Sequence, residues 1–198
     1  VVTPPVTTPP TSSRVKLRSL VFKDAAVAYQ MQVITAGNPD MYADQVNSLV
    51  LEQVTDLTWL KHFTQLKALI VSGQVKDTVD LSSNTLLETL DIKADSLLLS
   101  KNNRLSELTA EVGHIEFPSA AQLTQLHLTH RSIMGPHTKE LYRTTQNPIL
   151  ANYLKLDLGN QAKLQQAILS GQFAEVILPS NGVLENLTLK GAATATLT

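Results

Sequence analysis

Two interleaved apolar patterns, each repeating every 18 residues, constrain the fold of this chain more than any other feature of its sequence. The first consists of residues 79–81, 97–99 and 115–117, and the second of residues 90–92, 108–110 and 126–128. Successive patterns begin only 11 or 7 residues apart, and seven residues are too few for a helix, so both predict extended strands. Such self-similarity is typical of stacked coils that are each too small to bury their own apolar side. The sequence therefore predicts a β-rich solenoid of stacked parallel strands.

Composition narrows the chemistry that this scaffold can carry. The 198 residues are 43% hydrophobic but only 5% aromatic, which suits one domain built from thin layers of branched side chains. A formal net charge of −1 and the lack of Lys/Arg runs give no footprint for nucleic acid. Cysteine is absent, which excludes disulfides and thiolate chemistry, and no apolar stretch approaches the about 18 residues of a membrane span.

The first 20 residues are rich in Thr and Pro and predict a disordered or extended tether. Such a spacer is typical of a segment that follows a removed signal peptide or a lipid-bearing residue. We therefore expect an exported protein at the bacterial cell surface, outer membrane or periplasm; whether a lipid anchor or only a signal peptide precedes the tether stays open. The alternative is an ordinary linker.

Residues 21–44 predict a capping helix and turn in front of the solenoid. Asp24 could cap a helix that begins at Ala25, places Val27, Met31 and Ile34 on one face, and ends before Gly37. Such a helix would cover the exposed end of the first coil. Further along, the spacing of apolar residues between 57 and 63 predicts a short helical or 3₁₀ turn.

Residues 45–198 predict the solenoid itself, interrupted by an insertion at about 129–152. The gap from Leu128 to Leu158 is 30 residues instead of seven, and it contains a predicted short helical segment around 136–146. Insertions in repeat proteins often lie on the binding face. This one could equally be a spacer that sets the register of the second half.

Residues 79–92 resemble a coil of the bacterial leucine-rich-repeat family, in which an Asn follows a Leu-x-Leu strand and satisfies backbone groups at the turn. The Asn appears three residues after the strand at positions 84, 102 and 181, while Ala120, Gln161 and Gln74 occupy the matching positions elsewhere. The helix and the segment 55–60 are similar to the start of internalin-like domains. The resemblance implies a binding scaffold of the kind found in short-repeat surface lipoproteins, and says little about the partner.

Strand alternation turns every second side chain of the second pattern toward solvent, which makes this face the candidate binding surface. The candidate residues are Asp91, Glu107, Thr109, Gln125, His127 and His130. Asp91, Thr109 and His127 would stack in one column, yet no helix N-terminus or glycine-rich turn accompanies them to bind an oxyanion. His114, His127, His130 and His137 raise the question of zinc, but surface histidines are the simpler interpretation. We expect no catalytic residue, metal or cofactor.

The sequence thus predicts a non-enzymatic binding module that presents a strand-built surface to a protein or a cell-surface polymer. The alternative is a structural or assembly protein of the bacterial envelope. Residues 193–198 read as a strand, and an unpaired edge there would support self-association.

Overall fold

The computed structural model describes residues 14–118, 122–131, 154–180, 183–191 and 193–197. These residues form one α-helix, α1 (Ala25–Thr35), three 3₁₀ turns and ten strands. The 3₁₀ turns are Leu17–Ser19, Ala43–Gln45 and Thr58–His62. The strands are β1 (Ser48–Glu52), β2 (Ala68–Asp80), β3 (Thr89–Leu98), β4 (Glu107–Glu116), β5 (Gln125–His130), β6 (Leu154–Asp157), β7 (Gln166–Ser170), β8 (Phe173–Leu178), β9 (Asn186–Lys190) and β10 (Ala193–Leu197).

The strands form two sheets in which every strand pairing is parallel. The larger sheet has the order β1-β2-β3-β4-β5-β7-β9 and the smaller has the order β10-β8-β6. Successive coils place their strands side by side, so the predicted β-solenoid of stacked parallel strands is confirmed. In the part of the chain that the structure describes, no helix is long and apolar enough to cross a membrane.

The second apolar pattern forms the inner column of the large sheet. Residues in this column pair in register from one end to the other: Leu49, Leu69, Leu90, Leu108, Leu126, Ala167 and Leu187. Leu90, Leu108 and Leu126 are each at most 2% exposed. Burying such a side chain stabilises the fold by roughly 1.5–3 kcal/mol, which only stacked neighbours can provide here.

The first apolar pattern continues the same strands around a corner. In β3, burial alternates through Ala94, skips Asp95 and Ser96, and resumes at Leu97, so the strand bends between its two halves. In the second half of the chain the corner falls at Gly171, between β7 and β8. Gly171 has a φ of 112°, and a Cβ there would collide with the backbone carbonyl of His130 in the preceding coil. Glycine is therefore needed at this corner.

The turns after the first-pattern strands are joined by a ladder of buried amides. The Asn84 side chain donates to the carbonyls of Leu60 and Phe63, both at 2.9 Å. The Asn102 side chain repeats this geometry on Leu81 and Asn84, at 3.1 and 2.8 Å. Phe63 therefore holds the equivalent position in the earlier coil, and the assignment of Gln74 to the ladder is wrong.

Gln161 extends the ladder beyond the insertion. Its amide donates to the carbonyl of Pro118 at 3.5 Å, so the coil of β6 stacks on the coil that follows β4. The other two ladder positions, Ala120 and Asn181, lie outside the described residues. So do residues 132–150, including the predicted helical segment at 136–146 and His137.

The capping helix forms as predicted, with Val27 and Met31 buried against the first coil. However, the Asp24 side chain does not cap it. Its carboxylate instead accepts hydrogen bonds from the Thr55 N–H and hydroxyl at 2.9 and 2.6 Å, and from the Asp56 N–H at 3.1 Å. Asp24 therefore fastens the start of the helix to the loop between β1 and the Thr58–His62 turn.

The folded cap also includes residues that the sequence assigned to the tether. Leu17 is 1% exposed, and Lys16 forms an antiparallel bridge with Tyr42. Residues 14–20 therefore belong to the cap, and residues 1–13 lie outside the described part of the chain.

Candidate binding site

A shallow groove of about 350 Å³ runs across the outer face of the large sheet. Its central line follows an outward column of paired residues, which we call the central outer column: Val50, Ile70, Asp91, Thr109, His127, Ile168 and Thr188. Thr109 lies in the middle of the lining, between Asp91 and His127. The inward-pointing Leu90, Leu108 and Leu126 contribute the floor.

Five of the six candidate residues from the sequence line this groove: Asp91, Glu107, Thr109, Gln125 and His127. The register brings them together, because Glu107 pairs with Gln125 and Thr109 pairs with both Asp91 and His127. The groove spans four strand steps from Ile70 to Ile168, or about 19 Å. This length matches an extended segment of a partner better than a compact small molecule.

His130 does not belong to this surface. It is 8% exposed, its ring lies 5.8 Å from that of Phe173, and its Nδ1 has no hydrogen-bond partner. Burial lowers the pKa of His130, and the backbone of Gln172 and of Gly113 opposes this shift only in part. Strand alternation could have placed it correctly, because Leu126 and Leu128 point inward and residue 130 shares their parity.

The groove contains four further residues besides the candidates named above. Ile70 and Ile168 close its two ends and are 38% and 37% exposed, while Thr89 and Gln166 extend its walls. All four share an outward column with a candidate residue: Ile70 and Ile168 with Thr109, and Thr89 and Gln166 with Glu107. Gln166 pairs directly with Gln125 across the long insertion.

Charges beside the groove are paired with one another. Lys93 lies 3.2 Å from Glu111, and Arg131 lies 3.1 Å from Asp95 and 3.8 Å from Glu111. The Gln74 amide donates to Asp95 at 3.0 Å, which explains its position in β2. A β-bulge at Gly73, with a φ of 108°, sets Gln74 opposite Lys93 in place of the expected Ser72.

By contrast, the two carboxylates inside the groove are available to bind a ligand. Among the described residues, neither Asp91 nor Glu107 forms an ion pair. Together with Thr109, Gln125 and His127, they offer several hydrogen-bond acceptors and a smaller number of donors. The surface can therefore bind a partner that supplies hydrogen-bond donors along an extended line.

A second groove, of about 270 Å³, lies beside the loop that Asp24 fastens. Its lining includes Asp56, Asp77 and Asp80, but Asp56 already has structural partners. Asp56 accepts from the Thr58 N–H at 3.0 Å and pairs with Lys23 at 3.0 Å. Within the described ranges, no group of three His, Cys, Asp or Glu residues could hold a metal ion.

Comparison of the chain with models of protein families, with curated proteins and with solved structures gave no match. What the structure itself establishes is a parallel-strand β-solenoid, an architecture compatible with a repeat protein.

Proposed function

We propose that the protein is a non-enzymatic binding module whose groove holds an extended segment of a protein or of a cell-surface polymer. One observation carries this proposal: the register brings five polar candidate residues from three strands into one groove with exposed isoleucines at both ends. Grooves of this volume lie near the lower limit for ligand sites, and this one is open along its length.

Two features of the groove suit recognition. Its carboxylates and amide are free to bond a ligand, while the neighbouring charges neutralise one another. The stacked strands beneath it are held by a fully buried core, so the surface is preorganised and little entropy is lost on binding.

We extend the proposal to the family and the location of the protein, on the basis of the sequence resemblance described above. The amide ladder at residues 84 and 102 supports a leucine-rich-repeat-like scaffold of the bacterial, internalin-like kind. The Thr/Pro-rich start supports export and tethering at a bacterial surface, as in lipoproteins. Both belong to the proposal.

A steric block in the groove tests the main proposal. Thr109→Arg fills the centre of the groove with a long side chain, whereas Asn103→Arg adds the same charge at an exposed turn. Both variants and the parent chain are applied to arrays of bacterial and host surface proteins and polysaccharides. Affinities for every ligand of the parent are then measured by biolayer interferometry.

We expect Thr109→Arg to weaken binding by at least about tenfold, equivalent to 1.4 kcal/mol, and Asn103→Arg to leave it unchanged. Both variants should melt with the parent, since both positions face solvent. Equal binding by the parent and Thr109→Arg would show that the groove is not the recognition site.

A second candidate function is assembly through β9, the last strand of the large sheet in the part of the chain that the structure describes. Leu187 and Leu189 in β9 are 37% and 38% exposed although their columns are buried in the other coils. An edge strand with exposed core side chains favours association. This candidate predicts a self-associating protein of the bacterial envelope.

A further inference from the structure

The central outer column changes in polarity along the groove. Ile70 and Ile168, at the two ends, are 38% and 37% exposed, and Val50 beyond Ile70 is 49% exposed. The three residues between the isoleucines are polar: Asp91, Thr109 and His127. A partner that lies along this column can therefore bury an apolar group at each end and make polar contacts between them.

The distance between the two isoleucines matches an extended peptide. Ile70 and Ile168 are four strand steps apart, or about 19 Å. An extended chain advances about 3.3 Å per residue and turns every second side chain to the same face, so six residues cover about 20 Å. Two apolar side chains six positions apart can therefore point the same way and contact both isoleucines.

The two carboxylates of the groove are placed to share one cation. Asp91 pairs with Thr109, and Glu107 lies two residues before Thr109 in β4, so the carboxylates are diagonal neighbours about 8 Å apart at their backbones. The described lining contains no Lys or Arg. Lys93 and Arg131, beside the groove, are paired with other acidic residues. An ammonium or guanidinium group between the two carboxylates can therefore contact both.

We propose that the groove binds an extended peptide segment with a basic residue two positions from one apolar residue and four positions from a second. This inference rests on the function proposed above and names the partner of the same groove. One apolar side chain packs on Ile70, and the basic group, about 7 Å further along, lies between Asp91 and Glu107. The second apolar side chain packs on Ile168.

Two features of the groove favour a peptide over a polysaccharide. Its described lining contains no Trp, Tyr or Phe on which a sugar ring could stack. Its unpaired carboxylates attract a cation and repel an anionic polymer. The partner that complements both the charge and the apolar ends is a basic protein segment.

A library of random short peptides displayed on phage tests the spacing. It is depleted on Thr109→Arg, in which the groove is blocked, and then selected on the parent chain. The enriched sequences should share a Lys or Arg two positions from one large aliphatic residue and four from another, in either chain direction. Enrichment of a different pattern, or no enrichment, overturns this inference.

Fluorescence anisotropy with a synthetic peptide of this pattern tests the charges. Asp91→Asn and Glu107→Gln should each weaken binding by about two- to fivefold, as for a partly exposed ion pair. Glu116→Gln is the matched control, because it makes the same substitution at an exposed position at the other end of β4, outside the groove. It should keep the affinity of the parent. Equal losses in Glu107→Gln and Glu116→Gln would contradict the proposed contact.

A reversal of charge separates recognition from damage to the groove. A peptide with Glu in place of its basic residue should not bind the parent but should bind Asp91→Lys. If Asp91→Lys binds neither peptide although its circular dichroism matches that of the parent, the assignment of the cation to this position is wrong.

The array ligands distinguish a failure of this inference from a failure of the proposed function. Ligands lost in Thr109→Arg but fully retained in Asp91→Asn and Glu107→Gln overturn the basic peptide while leaving the groove as the binding site. Ligands bound equally by the parent and Thr109→Arg overturn both.

Discussion

The two edge strands of the large sheet, β1 and β9 among the described residues, have the same internal pattern but opposite surroundings. At the first coil, Leu49 and Leu51 are 3% and 0% exposed because α1 lies over them. At β9, the residues of the same two columns, Leu187 and Leu189, are 37% and 38% exposed. The comparison shows that an apolar position in a solenoid becomes core only when a further layer covers it.

The cap covers the first coil with a small number of apolar and polar contacts. Val27 and Met31 fill the space above the first coil, and Gln30 satisfies an edge carbonyl. Asp24 then ties the helix to the loop at residues 55 and 56. The cap therefore replaces both the apolar layer and the polar partners that a neighbouring coil would supply.

The strongest test of this comparison places an aspartate at each end of the inner column of the large sheet. Leu49→Asp buries an unpaired carboxylate and should lower the free energy of unfolding by more than about 4 kcal/mol. Leu108→Asp, in the middle of the column, should unfold the chain. Leu187→Asp should cost less than about 1 kcal/mol, because its side chain reaches solvent.

Urea denaturation followed by circular dichroism measures these differences, at a concentration where the chain is monomeric so that association adds nothing. Comparable losses from Leu49→Asp and Leu187→Asp would show that the cap does not determine burial.

A smaller effect should follow from releasing the cap. Asp24→Ala removes the acceptor for the Thr55 and Asp56 N–H groups and should cost about 1–2 kcal/mol, measured as the change in urea midpoint. Asp44→Ala is the control, since it breaks only an exposed pair with Arg14 and should cost less than about 1 kcal/mol.

The effect of Asp24 has a defined pH dependence. Burial alone would raise the pKa of Asp24, but the hydrogen bonds from Thr55 and Asp56 outweigh it and lower the pKa. The stabilisation is therefore complete above the unfolded pKa of about 3.9 and is lost as the pH falls through the folded pKa. A difference between parent and Asp24→Ala that persists unchanged through that window would exclude the charged contact as its cause.

The smallest expected effect concerns the interior between the two ends. Burial lowers the pKa of His130, so the unfolded chain binds more protons than the folded chain around the unfolded pKa of about 6.5, and stability falls as the pH drops through that value. His130→Gln should flatten this slope in chemical denaturation measured across the pH range.

Much of this architecture was predictable because the core depends on local alternation and a regular step. The columns through Leu90, Leu108 and Leu126 follow directly from the 18-residue repeat, and the resulting pairing places Asp91, Thr109 and His127 on adjacent strands. The same alternation, applied one residue pair further, would have turned His130 inward.

Other features depend on contacts that no local pattern contains. Asp24 precedes the helix like a capping residue, but its partners are 31 and 32 positions away. The bulge at Gly73 shifts Ser72 away from Lys93 within a strand whose composition looks continuous.

The amide ladder gives the stack a direction. Asn84 and Asn102 each donate to two carbonyls of the coil before them, while their own Oδ1 atoms have no hydrogen-bond partner in the structure. The hydroxyls of Ser106 and Thr124 likewise donate backward, to the carbonyls of Glu88 and Ser106. Each of these side chains therefore completes the coil before it, so the carbonyls of one turn gain these donors only after the following coil has been synthesised.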